Sequence, residues 1–142
     1  MASVEAAVKE AVYTSAGPVA GTPYSPAVRA GNLLFVSGQL GIDPATKQPF
    51  DDFPRQVEGA IAGVRALVEA AGGTLKNVVK TTVFLSDIAR FAELNEIYGR
   101  HFGADGSIKP AASTRARTPA IAPSTCRGKS SNGCFVAGSM PS

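Results

Sequence analysis

A chain of 142 residues, 44% hydrophobic and 18% charged, with a net charge of +3, has room for one core-burying domain and is too apolar to be disordered. No run approaches the ~20 apolar residues of a membrane span, and one histidine with two cysteines fits no zinc or iron–sulfur spacing. Glu5 and Glu10 and the lack of a long apolar run make the N-terminus a poor signal peptide. The chain therefore reads as soluble and cytoplasmic, with Cys126 and Cys134 as free thiols, since a domain of this length needs no disulfide. Charges are interleaved until Asp105, beyond which Lys109, Arg115, Arg117, Arg127 and Lys129 meet no acid. The small net charge and the interleaving argue against a dedicated nucleic-acid surface, and the chain reads as a basic tail on a near-neutral body.

In chain order, residues 11–31 alternate proline and glycine with small apolar residues and predict loop and edge strand. "LLFVSGQLG", residues 33–41, predicts a strand apolar on both faces that runs into Ser37-Gly38, where no side chain is left to pack. Asp51 or Asp52 caps a helix with Pro54 in its first turn and a stripe of Val57, Ile61, Val64, Leu67 and Val68, ended by Gly72-Gly73. "NVVKTTVFLSD" predicts the clearest strand, with Val79, Thr81, Val83 and Leu85 on one face and Val78, Lys80, Thr82 and Phe84 on the other. Ser86 or Asp87 then caps a second helix whose stripe is Phe91, Leu94, Tyr98 and Phe102, closed by Gly103 and Gly106. Strands, then helix, strand, helix and a tail with little strand alternation predict an α+β fold, one sheet with two helices on one face.

No P-loop, GxSxG, HExxH or dinucleotide fingerprint is present. His101, in the last turn of the second helix, suits the terminal carbonyls there and reads as structural or solvated. Asn95, beside the apolar stripe, needs partners that are either structural or functional. Tyr24 alone reads as packing and Ser37-Gly38 as a strand end. Taken together, a phenol, a hydroxyl, accessible backbone and an amide suit a small polar molecule that needs positioning rather than covalent attack.

Three segments, "TPYSPAVRAGNLLFVSGQLGIDP", "VEAAGGTLKNVVKTTVFLSDIARFAELNEIYGRHF" and "KPA", strongly resemble the reactive intermediate deaminase family (RidA/YjgF), also called the L-PSP endoribonuclease or translation-inhibitor family, from about residue 13 to about residue 111. The resemblance implies a chorismate-mutase-like single domain over residues 1–142, α+β, with one mixed β-sheet and two helices packed on one face. It further implies a homotrimer with clefts at the subunit interfaces. The implied activity is hydrolysis of 2-imino and 2-enamino acids, such as 2-iminobutanoate and 2-iminopropanoate, to 2-keto acids and ammonia, with no metal or cofactor. It places Ser37-Gly38 in the cleft wall and Tyr24 and Asn95 nearby as substrate-binding residues, and it leaves the catalytic residues of this chain unknown.

The departure begins at about residue 112. Family members with the activity read Pro-Ala-Arg, with the arginine forked onto the substrate carboxylate, whereas this chain has Pro110-Ala111-Ala112. The acidic residue that the family carries on its last strand has no counterpart after Asp105. Arg115 or Arg117 is the candidate replacement by a register shift. Two function classes follow: an imine deaminase impaired by its C-terminal region, and a non-catalytic module binding small carboxylates or RNA. RNA is the less favoured partner, because residues 1–106 lack a basic stripe with exposed aromatics.

Overall fold

Six strands and two helices make up the computed structural model, which describes residues 8–15 and 21–115 with their side chains and residues 116 and 134–139 as backbone. Glu5, Arg117, Cys126, Arg127 and Lys129 lie outside the described residues. The strands are β1 (Lys9–Val12), β2 (Ala27–Ala30), β3 (Leu33–Gln39), β4 (Val78–Leu85), β5 (Ala111–Ala116) and β6 (Cys134–Ser139). The helices are α1 (Phe53–Ala70) and α2 (Phe91–His101). The sheet order is β1-β2-β3-β6-β4-β5, and β4–β5 is the one parallel pair among the described strands. This is an α+β fold with a mixed sheet and both helices on one face. No helix among the described residues is long and apolar enough to cross a membrane.

Helix α1 begins where its sequence dictates. The Asp52 carboxylate accepts from the Arg55 amide at 2.8 Å, and Pro54 falls in the first turn, where no amide is needed. Val57, Ala60, Ile61, Val64, Leu67 and Val68 are all buried, each larger aliphatic contributing about 1.5–3 kcal/mol on leaving water. The helix stops at Ala71, and Gly72 adopts a φ of 88° that a side chain would strain. From β2, Arg29 Nη2 donates to the Ala71 carbonyl at 2.6 Å and ties the helix end to the sheet. At the other end the approach is closest, because a Cβ on Gly41 would collide with the Gln56 backbone.

Four expectations change. First, β3 is buried on one face only: Leu34 and Val36 are in the core, while Leu33 and Phe35 remain 41% and 43% exposed. Among the described residues the sheet is covered by helices on one side and bare on the other. Second, the faces of β4 switch at its start, so Val78 is buried and Val79 is exposed. The cause is a bulge: Val78 pairs with Gly138 and Lys80 with the next residue back, Ala137, which leaves Val79 as the extra residue. Third, α2 opens with a 3₁₀ turn, Ile88–Arg90, capped by the Asp87 carboxylate on the Ala89 amide. Its buried residues are Leu94 and Ile97, followed by Phe102, while Phe91 is 41% exposed. Fourth, the C-terminal region supplies two strands, with β6 inserted between β3 and β4 at the sheet's centre.

Candidate functional site

Ser37 and Gly38 occupy a second bulge. Val36 pairs with Val136 and Gln39 with Cys134, so the two residues between them stand opposite the single residue Phe135. Such bulges bend a strand and re-aim what it carries. The Ser37 amide donates to the Pro26 carbonyl at 2.9 Å and its hydroxyl to the Ser25 carbonyl at 2.6 Å, which pins the strand end to the 24–26 loop. Tyr24, one residue before Ser25, is 57% exposed. Among the described residues, no atom beyond its chain neighbours lies within 4 Å of where a Gly38 side chain would begin. Three of the four expected binding residues, Tyr24, Ser37 and Gly38, thus form one accessible group with open space before it.

Asn95 is not in that group. It sits exposed on α2, in the helical layer on the sheet's other side. The layer is registered to the sheet by Tyr98, whose hydroxyl lies 2.8 Å from that of the fully buried Thr81. Thr81 pairs with Ala112 on the edge strand β5, so Ala112 shares the helix-facing side with Asn95. Arg115 pairs with Phe84, which is exposed on the bare face. Residues 112 and 115 are an odd number apart, so they leave opposite sides of the sheet. Arg115 does not occupy the direction that an arginine at 112 would take.

His101 is structural, through side chains rather than helix carbonyls. Arg65 Nη2 lies 2.8 Å from Nδ1, and Glu58 Oε2 lies 2.6 Å from Nε2. A guanidinium only donates, so Nδ1 accepts from Arg65, and with Glu58 on the other ring nitrogen the imidazole joins α1 to α2. Beside it, a hollow of about 340 Å³ is lined by Arg65, Lys76, His101, Gly103, Asp105 and Pro110 among others. Two of its charges satisfy each other: Lys76 Nζ is 2.5 Å from Asp105, whose carboxyl is held well below the usual range by hydrogen bonds from Lys76 and Ser107. A second hollow, about 630 Å³, lies at the turn around Asp43, Phe50 and Arg55. Neither contains Tyr24, Ser37, Gly38 or Asn95.

A further polar contact lies on the sheet's other face. Lys80, re-aimed by the β4 bulge, donates to the Ser113 hydroxyl at 2.8 Å on the bare face. The one sequence signal for it was a cation in the middle of a β-branched strand.

Residues 14–122 match the family model described as Endoribonuclease L-PSP. A RutC family protein of Pyrococcus horikoshii is 41% identical over 97 residues, covering 68% of this chain and 77% of that protein. The chloroplastic Reactive Intermediate Deaminase A of Arabidopsis thaliana is 40% identical over 113 residues, covering 79% of this chain and 59% of that protein. The crystal structure of E. coli TdcF with bound serine superposes with a TM-score of 0.77 at 27% identity, covering 93% of this chain and 99% of that one.

Proposed function

Because the chain belongs to the reactive intermediate deaminase (RidA/YjgF) family, whose family model carries the L-PSP endoribonuclease description, we propose that it hydrolyses small 2-imino acids to 2-keto acids and ammonia, at a reduced rate, in clefts shared between copies of a homotrimer. The observation that carries this reading is the division of the expected site. Tyr24, Ser37 and Gly38 belong to the β2–β3 end, while Asn95 and the Ala112 position belong to the helical side of β4–β5. Among the described residues of one chain the two halves lie apart, and neither hollow described above contains them. A second copy that presents one half to the other completes the site. The bare sheet face, with Leu33, Phe35, Val79 and Phe84 between 41% and 51% exposed, is the apolar surface such copies would cover.

The chemistry asks little of the side chains. Water adds to the imine carbon, forming a C–O bond while the nitrogen takes a proton. The carbinolamine then breaks its C–N bond and releases ammonia, the hydroxyl proton leaving to give the carbonyl. Nothing is oxidised or reduced. Holding the carboxylate and placing the water account for much of the acceleration available. Gly38 admits the substrate against bare backbone, and Tyr24, Ser37 and Asn95 offer neutral hydrogen bonds. TdcF, solved with bound serine, holds a molecule with the same α-carboxylate. An RNA-binding reading fits less well, because Arg55, Lys76, Arg90 and Arg100 are each engaged by a carboxylate of this chain.

Size-exclusion chromatography with light scattering tests the assembly. The expected mass is close to three times 14.5 kDa, and a clean monomer that nonetheless turns over imine would refute the shared cleft.

A further inference from the structure

One end of the sheet carries a charge imbalance that its own strands do not correct. Strands β3 to β6 contain Lys80 and Arg115 and not one Asp or Glu, the sheet's acid, Glu10, lying on the far edge strand β1 in register with Arg29, and no acid follows Asp105 anywhere in the chain. Arg29 spends its guanidinium on the Ala71 carbonyl. Lys80 and Arg115 meet no carboxylate among the described residues, although Arg55, Lys76, Arg90 and Arg100 all do. Both belong to the bare face: Lys80 through its bulge and its bond to Ser113, Arg115 through its pairing with Phe84.

Two irregularities converge there. The bulge at Val79 and Lys80 stands opposite Ala137, and the bulge at Ser37 and Gly38 stands opposite Phe135, two residues away on β6. The same cross-strand row runs from Ser37 and Gly38 through Phe135 and Thr82 to Ser113, so hydroxyl residues cross the sheet in line. Covering this face with further copies of the chain removes water from an ammonium and a guanidinium, and strands β3 to β6 of a further copy bring no acid of their own. An unpaired buried charge is strongly unfavourable, so an anion at this place would stabilise the assembly.

We propose that the bare face binds a small carboxylate on Lys80 and Ser113, with Arg115 alongside, enclosed when the copies assemble; this rests on the assembly reading above. The Lys80 ammonium has three N–H donors and gives one to Ser113. Ser113 accepts with its oxygen and keeps its own O–H to donate. Nζ and Oγ, 2.8 Å apart, then offer one donor to each oxygen of a planar carboxylate. Val79 and Phe84, exposed on the same strand as Lys80, supply apolar surface suited to a short aliphatic chain. The site lies on the opposite sheet face from Ala112, at the β5 end of the row that begins at Ser37 and Gly38.

The test is a titration of the isotopically labelled full-length chain with 2-oxobutanoate at constant ionic strength, followed by amide chemical shifts, with light scattering on the same sample. Saturable shifts are expected at Lys80, Thr82, Ser113 and Arg115. Lys80→Met should weaken binding read at these amides by roughly 10- to 100-fold, the loss of a charge-assisted hydrogen bond, while Lys80→Arg keeps most of it. A trimer whose Lys80 and Ser113 amides do not move, or move equally in Lys80→Met, would overturn the site and leave the deaminase reading standing. A monomer would overturn the assembly reading and the enclosed site with it.

Discussion

Replacing Ala112 by arginine separates the hydrolytic cleft from everything else in the molecule. Ala112 is exposed on the edge strand β5 and pairs with Thr81, so a guanidinium there leaves the sheet on the side of Asn95 into open solvent and needs no repacking. A charge-assisted hydrogen bond contributes about 1.5–3 kcal/mol, and each 1.36 kcal/mol is about tenfold in rate, so Ala112→Arg should raise kcat/KM by roughly 10- to 150-fold. The assay generates 2-iminobutanoate in situ with a threonine dehydratase and follows its decay with and without the chain. Arg115→Ala provides the geometric control: Arg115 is on the other face, so its loss should leave turnover unchanged in both the parent and the Ala112→Arg background. If the parent is already fast and Arg115→Ala abolishes it, the assignment of the two residues to opposite sheet faces is wrong. No gain from Ala112→Arg in a correctly assembled trimer would refute the placement of the substrate carboxylate beside β5.

Gly38→Val should fold normally, since nothing lies within 4 Å of the new Cβ, yet weaken 2-keto acid binding at the cleft by at least about tenfold; circular dichroism and calorimetry read the two effects separately. Gly41→Ala should cost about 1–3 kcal/mol in thermal or denaturant unfolding, because its methyl group meets the Gln56 backbone. By contrast Gly99→Ala, in open space on α2, should be neutral or stabilising by up to about 1 kcal/mol. Asp105 carries a pH signature. Its folded carboxyl is held below the ordinary aspartate value, so it stabilises the fold above about pH 4 and loses that effect as pH falls further. Asp105→Asn should therefore be less stable than the parent at neutral pH, with the gap closing in acid and shrinking in high salt.

How far the sequence could be read depended on whether one segment's own side chains decided its state. The α1 stripe, the Asp52 cap and the Gly72 terminator are local, and all three are where the spacing puts them. Strand β4 was recognisable by its β-branched run, but its faces were not, because the bulge that sets them comes from pairing with β6, more than fifty residues later. The second helix showed Leu94 and Phe102 but hid Ile97, since a 3₁₀ turn shifts the phase of the stripe relative to Phe91. "CFVAGS" has no bulky alternation of its own and becomes a strand because β3 and β4 both need an antiparallel partner. For the candidate site, Tyr24, Ser37 and Gly38 were legible as an unusual strand end beside a proline-rich loop. The separation of Asn95 from them was not, because it is a property of layers rather than of spacing.

The place of β6 also dictates the order in which the molecule can be made. Leu33 pairs with Ser139, and Thr81 with Val136, so the two halves of the sheet have no common edge until residues 134–139 arrive. A ribosome delivers β3, α1, β4 and α2 first, leaving two partial sheets with open flanks in the meantime. Contacts of such long sequence separation close slowly, and exposed flanks recruit strands from other chains. Yield of the folded protein should accordingly depend on temperature and chaperone supply during synthesis more than on the stability of the finished sheet.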